Sequence, residues 1–160
     1  MRPVIRRYRS ADLETLRHVT IICFDGVSID QNIEGAFGAA GPTDWRNRKA
    51  RHIDADVAEN PDGIFVAEVD DRVVGYLTTR LDRVALVGGI PNMAVLPDYR
   101  RRGIGKALLE SALDYFKSEG MLLARIETLT QNAAGQSLYP QVGFQEVARQ
   151  IHYAMPLTRK

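Results

Sequence analysis

Apolar positions along the chain follow two rhythms, one close to helical and one extended, and their alternation sets the order of elements. Val4–Tyr8 reads as a short strand. Ser10 predicts a helix cap, with Asp12 and Glu14 in a first turn that favours negative charge. Leu13, Leu16, Thr20 and Cys23/Phe24 mark that helix's inner face, and Asp25-Gly26 ends it. Ser28 and Gln31 stand as a capping-box pair for a second, short helix whose Ile29, Ile33 and Phe37 lie on one side. Gly35, Gly38 and Gly41-Pro42 then break regular structure. Thr43 opens a third helix, Asp44 to about Glu59, with Trp45, Ile53 and Val57 inward and Asn60-Pro61-Asp62-Gly63 closing it.

The middle of the chain is extended. Ile64–Val69 and Arg72–Leu81 predict two strands joined by a tight Asp70-Asp71 turn, although Gly75 and the polar pair Thr78-Thr79 weaken the alternation in the second. Val84–Val95 predicts the third strand of this meander. Gly88-Gly89 and Pro91 argue for a bulge or a splayed edge within it. Pro97 stops the strand, and a helix follows on Ile104, Leu108, Leu109, Ala112, Leu113 and Phe116, with Gly120 beyond its end. Leu122–Thr128 reads as a buried strand. Asn132 caps a last helix through Leu138 and Tyr139, which Pro140 should distort. From Gly143-Phe144 an extended segment runs to about Leu157.

Composition narrows the classes. At 160 residues, one domain spanning 1–160 can bury a sizeable core. Lysine and arginine number 21 against 20 acidic residues, so nothing argues for nucleic acid as a partner. No apolar run approaches a membrane span, and the first residues lack the apolar stretch of a signal peptide. The single cysteine, Cys23, permits no internal disulfide and suits a reducing, cytoplasmic setting as buried filler. Arg46, Arg48, Lys49, Arg51 and His52 make the third helix basic. A solvated face partly neutralised by Asp44, Asp54 and Asp56 is the expectation, against an edge that attracts an anionic substrate.

Chemistry concentrates where the strand Met93-Ala94-Val95 gives way to the long helix. Arg100, Arg101, Arg102 and Lys106 crowd Gly103 and Gly105 at a helix N-terminus. Unpaired first-turn amides, the positive end of the helix dipole and glycines that block nothing make an anion site, with a phosphate or pyrophosphate as ligand. The alternative is an ordinary strand–helix corner. A dinucleotide fingerprint is excluded because Leu108 stands where its last glycine should be. A P-loop is excluded because Arg100 and Ala107 replace its first glycine and its magnesium-binding hydroxyl.

What remains, Arg100-Arg101-Arg102-Gly103-Ile104-Gly105, is R-x-x-G-x-G, preceded by Val95-Leu96-Pro97-Asp98-Tyr99. It resembles the acetyl-CoA pyrophosphate loop of the GNAT superfamily of N-acetyltransferases. Asn132, Leu138, Tyr139, Gly143 and Phe144, read as N-x5-L-Y-x3-G-F, resemble that family's C-terminal motif, so the likeness covers essentially the whole chain. It implies an α/β fold: a mixed, mainly antiparallel, splayed sheet with helices on both faces. It also implies acetyl transfer from acetyl-CoA to a primary amine of a small molecule or peptide, by direct attack in a ternary complex and without a metal.

The same resemblance implies roles. Arg100, Arg101, Arg102, Gly103, Ile104, Gly105 and Lys106 would hold the pyrophosphate. Met93, Ala94 and Val95 would meet the pantetheine arm, with a backbone N–H near Val95 for the oxyanion. Asn132 and Tyr139 lie on the cofactor side, and Tyr139 matches the usual acid, against a reading as a packed aromatic. Glu127 is the candidate base. A structural carboxylate with a water relay in its place is the alternative, because Gly88-Gly89 stands where many relatives carry a glutamate. The L-E-V-R-x-S-N strand of ribosomal-protein N-terminal acetyltransferases is only partly matched by Ile126–Asn132. A protein N-terminal or lysine acetyltransferase and a non-catalytic acyl-CoA sensor therefore stay open, as does a homodimer. Gly135 replaces an alanine and should weaken its helix. Asp25–Trp45, rich in glycine and alanine, is expected to form a mobile wall of the acceptor cleft.

Overall fold

The computed structural model describes residues 2–157. Its elements run β1 (Val4–Arg7), α1 (Leu13–Cys23), α2 (Ile29–Phe37), α3 (Trp45–Glu59), β2 (Phe65–Val69), β3 (Arg72–Leu77), β4 (Arg80–Asp82), β5 (Val87–Ile90), β6 (Met93–Val95), α4 (Ile104–Ser118), β7 (Leu123–Ile126) and α5 (Ala133–Val142). The strands form two sheets. β1-β2-β3-β6 is antiparallel throughout, whereas β4-β5-β7 pairs β4 with β5 antiparallel and β5 with β7 parallel. The fold is the mixed, mainly antiparallel α/β arrangement that the sequence implies.

Why two sheets form is visible at two breaks. The stretches Arg72–Leu81 and Val84–Val95, each predicted as one strand, are each divided, into β3 and β4 and into β5 and β6. Thr78 and Asn92 lie at the breaks, both buried, and both send side chains to Asp56 of α3. Thr78 Oγ1 donates to Asp56 Oδ2 at 2.8 Å, and Asn92 Nδ2 donates to it at 2.6 Å. Lys49 Nζ donates to Asn92 Oδ1 at 2.6 Å, and Arg80 reaches Asp56 Oδ1 at 3.2 Å. A buried carboxylate needs such partners, because desolvation otherwise costs several kcal/mol, on the order of what a domain can spare. The cluster fixes both strands at the point where they change sheet.

Lys49 corrects the reading of the third helix as solvated: it is 9% exposed, and its ammonium lies 4.1 Å from the Phe24 ring centroid. Burial pushes its pKa down, partly countered by Asp30 and Asp56.

The core fills both sides of the larger sheet. Leu16 and Val19 of α1 bury against it, and Thr20 Oγ1 lies 2.7 Å from the Tyr76 hydroxyl, pairing two buried polar groups at the α1–β3 contact. Leu108, Leu109, Ala112 and Phe116 of α4 pack on the other side, against β2 and β3. The β2–β3 turn has φ of 50° at Asp70 and 60° at Asp71, the left-handed pair a two-residue hairpin requires.

The helix starts depart from prediction. Asp12, not Ser10, occupies the cap position of α1, where its carboxylate accepts from Arg9 N at 2.7 Å and from Arg6. Ser28 makes no capping bond, and its buried Oγ has no partner. Gln31 instead accepts from Gly26 N at 2.5 Å and donates to Asp25 at 2.7 Å. Asp44 caps α3 by accepting from Arg46 N and Asn47 N.

Candidate functional site

Sheet pairing creates a wedge. β5 and β7 run side by side to the pair Ile90–Ile126, and beyond it β6 joins the other sheet as its edge strand. On β6 the backbone groups alternate. Asn92 O accepts from Thr78 N at 2.9 Å and Leu96 N donates to Val74 O at 2.8 Å, so residues 92, 94 and 96 face β3. Met93 and Val95 therefore turn their N–H and C=O groups toward the wedge. Gly75, opposite Val95, lets the strands approach: a Cβ there would lie 2.8 Å from the Ala94 carbonyl oxygen.

Three elements converge at the wedge's base. A Cβ on Gly105, in the first turn of α4, would lie 2.9 Å from Leu138 Cδ2 and 3.1 Å from Met93 Cε. This brings β6, the α4 N-terminus and α5 to one point. A side chain there would have to displace the tips of Leu138 and Met93.

The loop before α4 has Arg101 at φ 60° and Gly103 at φ 79°, both left-handed, and Gly103 occupies the cap position without a side chain. Left-handed residues in such a loop turn successive amides to one side and make a concavity suited to anions. The first-turn N–H groups of α4 have no acceptor within the helix. Arg101, Arg102 and Lys106 are exposed around it, with Arg102 stacked 5.4 Å from the Tyr99 ring centroid and Lys106 3.9 Å from Glu110.

Arg100 is set apart from these. Its Nε donates to the Val95 carbonyl at 2.9 Å, which ties the loop back onto the end of β6. This satisfies one wedge-facing group of Val95 and leaves its N–H as the group on offer. Ile104 is buried and serves packing, and Ala94 faces β3 with its backbone.

Asn132 is the α5 cap, accepting from Gly135 N at 3.2 Å while its amide donates to Thr128 Oγ1 at 2.8 Å. The Tyr139 ring lies over Gly135, whose Cβ would come within 3.1 Å of Cε2, and stacks edge-on against Phe144 with centroids 6.2 Å apart. Burial pushes the Tyr139 phenol up to about 12.

Glu127 follows the last β5–β7 pair, at the apex of the wedge. It is exposed and paired with Arg125 at 2.8 Å. Alternation places it on the face of β7 turned away from α4, because Gly88, which pairs with Ala124, abuts Phe116 of α4. The structure thus gathers Met93, Gly105, Leu138 and the Tyr139 helix at the base and sets Glu127 at the apex.

A roof crosses the wedge from the other side. Gln131 Nε2 donates to Gly26 O at 2.6 Å, and Asn32 of α2 donates to Gln131 Oε1 at 2.9 Å. The predicted wall Asp25–Trp45 is therefore not one mobile run. Trp45 is core at 4% exposure, α2 is a helix, and residues 25–28 and 38–44 are irregular on either side of it, with Phe37 half exposed.

Sequence reasoning missed Gln131 and the Asp56–Asn92–Thr78 cluster. The available signals were polar residues inside apolar strands, Thr78-Thr79 and Asn92. Among the described residues, no three or more His, Cys, Asp or Glu group to hold a metal, and no helix is long and apolar enough to cross a membrane.

The family model described as the Acetyltransferase (GNAT) family matches residues 29–144. The chain is 36% identical, over 52% of its length, to the ribosomal protein bS18-alanine N-acetyltransferase of Salmonella typhimurium. It is 35% identical, over 56% of its length, to an N-alpha-acetyltransferase of Sulfurisphaera tokodaii. The matches span only 55% and 60% of those relatives' own lengths. In fold it is similar to a PaiA N-acetyltransferase from Thermoplasma acidophilum solved with coenzyme A, with a TM-score of 0.72, 24% identity and 91% of each chain covered.

Proposed function

We propose that this chain, which belongs to the acetyltransferase (GNAT) family, moves an acetyl group from acetyl-CoA to a primary amine by direct attack of the amine on the thioester. The observation that carries this reading is the open edge of β6 beside the α4 N-terminus and the Tyr139 helix. The groups present fit the cosubstrate. The left-handed loop at Arg101 and Gly103 presents amides and basic side chains to a pyrophosphate. Met93 offers an N–H and a C=O to the amides of the pantetheine arm, in the manner of a strand addition. Arg100, engaged with Val95, positions the loop.

The chain's own chemistry is modest. The Val95 N–H donates to the thioester oxygen as it gains charge, where a preorganised donor is worth most. Tyr139 donates a hydrogen bond to the departing sulfur. With its phenol near 12 and a free thiol near 8.5, the proton stays on the tyrosine oxygen at neutral pH. The amine's proton passes to Glu127, once its side chain turns from Arg125, or to water at the apex. A cytoplasmic setting fits an acetyl-CoA user with one buried cysteine.

The names of the two relatives favour a specific acceptor, the α-amine of a protein N-terminus, approaching under the α2 roof. Measuring CoA release with a panel of short peptides, lysine side-chain analogues, polyamines and aminoglycosides tests both levels. Turnover with at least one amine is expected, with peptide α-amines best. Acetyl-CoA binding without turnover on any amine would make the chain a sensor instead.

A further inference from the structure

One cavity lies apart from every group assigned to the cosubstrate. It holds about 240 Å³ between α3 and the β5–β6 break and is lined by Lys49, His52, Asp56, Arg80, Pro91 and Asn92. Its charges are unevenly satisfied. Both oxygens of Asp56 are engaged, Oδ2 by Thr78 and Asn92 and Oδ1 by Arg80. The Lys49 ammonium donates to the neutral Asn92 Oδ1 at 2.6 Å and lies 3.4 Å from His52 Nδ1; among the described residues no carboxylate pairs with it directly. Burial, and Lys49 itself, hold His52 below its ordinary value, so that ring is mostly uncharged at neutral pH. Asp30 and Glu59 stand outside the lining, against His52 at 3.7 Å and Arg80 at 2.6 Å.

A buried cation with only neutral partners is costly, and a carboxylate brought from outside is what it lacks. The cavity's place in the fold says where that carboxylate would come from. Pro91 and Asn92 join Ile90, the last β5 residue paired with β7, to Met93, which opens the wedge. Arg80 pairs with Gly89 and Gly89 with Arg125, so Arg80, Arg125 and Glu127 share the face turned away from α4. A Cβ on Gly89 would meet nothing within 4 Å, which leaves that face open between Arg80 and the apex. We infer that the cavity is a specificity subsite, in which Lys49 and Arg80 receive a carboxylate of the acceptor while its amine reaches Val95. This rests on the acetyl-transfer reading and adds to it the class of acceptor, a molecule that carries both an amine and a carboxylate.

The span between the two points selects among such molecules. From Asn92 to Val95 is a rise of three strand residues, roughly 10 Å. An α-amino acid attacking through its α-amine is too short, because amine and carboxylate share one carbon. A peptide gains about 3.3 Å per residue, so an acidic side chain on its second or third residue fits. Lysine attacking through its ε-amine presents the same chemistry from another source, its α-carboxylate.

Peptides amidated at the C-terminus, identical but for Glu or Gln at the second or third residue, separate charge from shape. Free lysine and 6-aminohexanoate, each compared with its carboxamide, test the small-molecule source. CoA release is measured with the wild type, Lys49→Met and Arg80→Gln. In the wild type the Glu peptide should exceed the Gln peptide in kcat/KM by about tenfold or more, mainly through KM, as is typical of one charge-assisted contact. That ratio should fall to within about twofold of unity in Lys49→Met and by several-fold in Arg80→Gln. Each ratio is read within one variant, so a general loss of activity cancels. Where Lys49→Met does not fold, the half-exposed Arg80 decides alone. A preference confined to lysine and 6-aminohexanoate would uphold the carboxylate subsite and assign it to a free amino acid. Equal turnover of every acid and its amide, or a preference that survives the deciding substitution, would overturn the subsite and leave acetyl transfer standing. No CoA release with any amine would overturn both.

Discussion

Two helices begin at the base of the wedge, and they begin in opposite ways. α5 closes its own N-terminus: the Asn132 side chain accepts from Gly135 N, and its amide is held by Thr128. α4 has a left-handed glycine at the same position and no side chain to take up its first amides. One helix start is satisfied by the protein and supports Tyr139 as a fixed structural piece. The other is satisfied only by water or by an anion from outside, and basic residues surround it. The same local requirement, four unpaired N–H groups, is met by a cap in one place and in the other is left open to the anion proposed above.

The largest effect should come from forcing a side chain into the open start. Gly103→Val places a β-branched residue at φ 79°, where nothing lies within 4 Å of the new Cβ, so backbone strain is the whole perturbation. Relief of roughly 1–3 kcal/mol of strain would rotate the loop amides away from the ligand. We expect acetyl-CoA affinity by calorimetry to fall about 100-fold or more, with circular dichroism unchanged. Gly103→Asn, which tolerates the left-handed region, should remain within about fivefold of wild type. Equal losses for valine and asparagine would mean that conformation is not what matters there.

On the closed helix, chemistry should fail before binding does. Tyr139→Phe removes one hydroxyl from a ring that stays packed, so kcat should drop about tenfold or more while acetyl-CoA affinity holds. The pH dependence carries a sign. Burial raises the phenol to about 12, so the protonated, donating form persists through neutral and mildly alkaline pH. The wild type should therefore show no loss of kcat from this group until the pH nears that value. A Tyr139-dependent fall near pH 8–9 would contradict the assignment.

Removing the cap should make the two starts alike. Asn132→Ala leaves Gly135 N without its acceptor and Thr128 without its donor. A stability loss of about 1 kcal/mol, typical of cap removal, should appear as a lower Tm. Because α5 carries Tyr139, kcat should decline with acetyl-CoA affinity little changed. Weakened affinity with unchanged stability would instead show that Asn132 faces the ligand directly.

How much of this was legible depended on the range of the contacts. The α4 loop and the α5 start were readable because their determinants are local: a glycine at the cap, basic residues beside it, an asparagine three before the amide it receives. The Asp70-Asp71 turn was readable for the same reason. Arg72–Leu81 and Val84–Val95 were misread as unbroken strands because Thr78 and Asn92 meet at Asp56, which lies 22 and 36 positions away. No local pattern encodes such a contact. Arg100 resembled its neighbours in charge, yet loop geometry turned it to the Val95 carbonyl. Ser28 and Gln31 had the right spacing for a capping box, but Asp25 and Gly26 competed for the glutamine. The tail from Gly143 was read as an extended segment, whereas residues 144–157 belong to no helix or strand and Gly143 is left-handed; the missing intrachain partner could not be read from alternation alone.

The smallest effect, and the finest test of the closed start, concerns Gly135. The family resemblance expects alanine there, and on helix propensity alone Gly135→Ala should stabilise by up to about 1 kcal/mol. The structure opposes that gain. The new Cβ would lie 2.9 Å from Asn132 Nδ2, 3.1 Å from Tyr139 Cε2 and 3.2 Å from Thr128 Oγ1. The Asn132 amide is the end of a side chain and could move, but both its hydrogen bonds hold it where the methyl must go. Any displacement therefore spends part of the cap, worth about as much as the propensity gained. The Tyr139 ring must also give by a few tenths of an ångström, which would shift the hydroxyl proposed to face the departing sulfur. We expect Tm to stay within about 3 °C of wild type and kcat to fall a few-fold, with affinity for acetyl-CoA unaltered. A Tm rise of about 5 °C or more with full activity would show slack packing around Tyr139, leaving the glycine nothing more than a weak helix former.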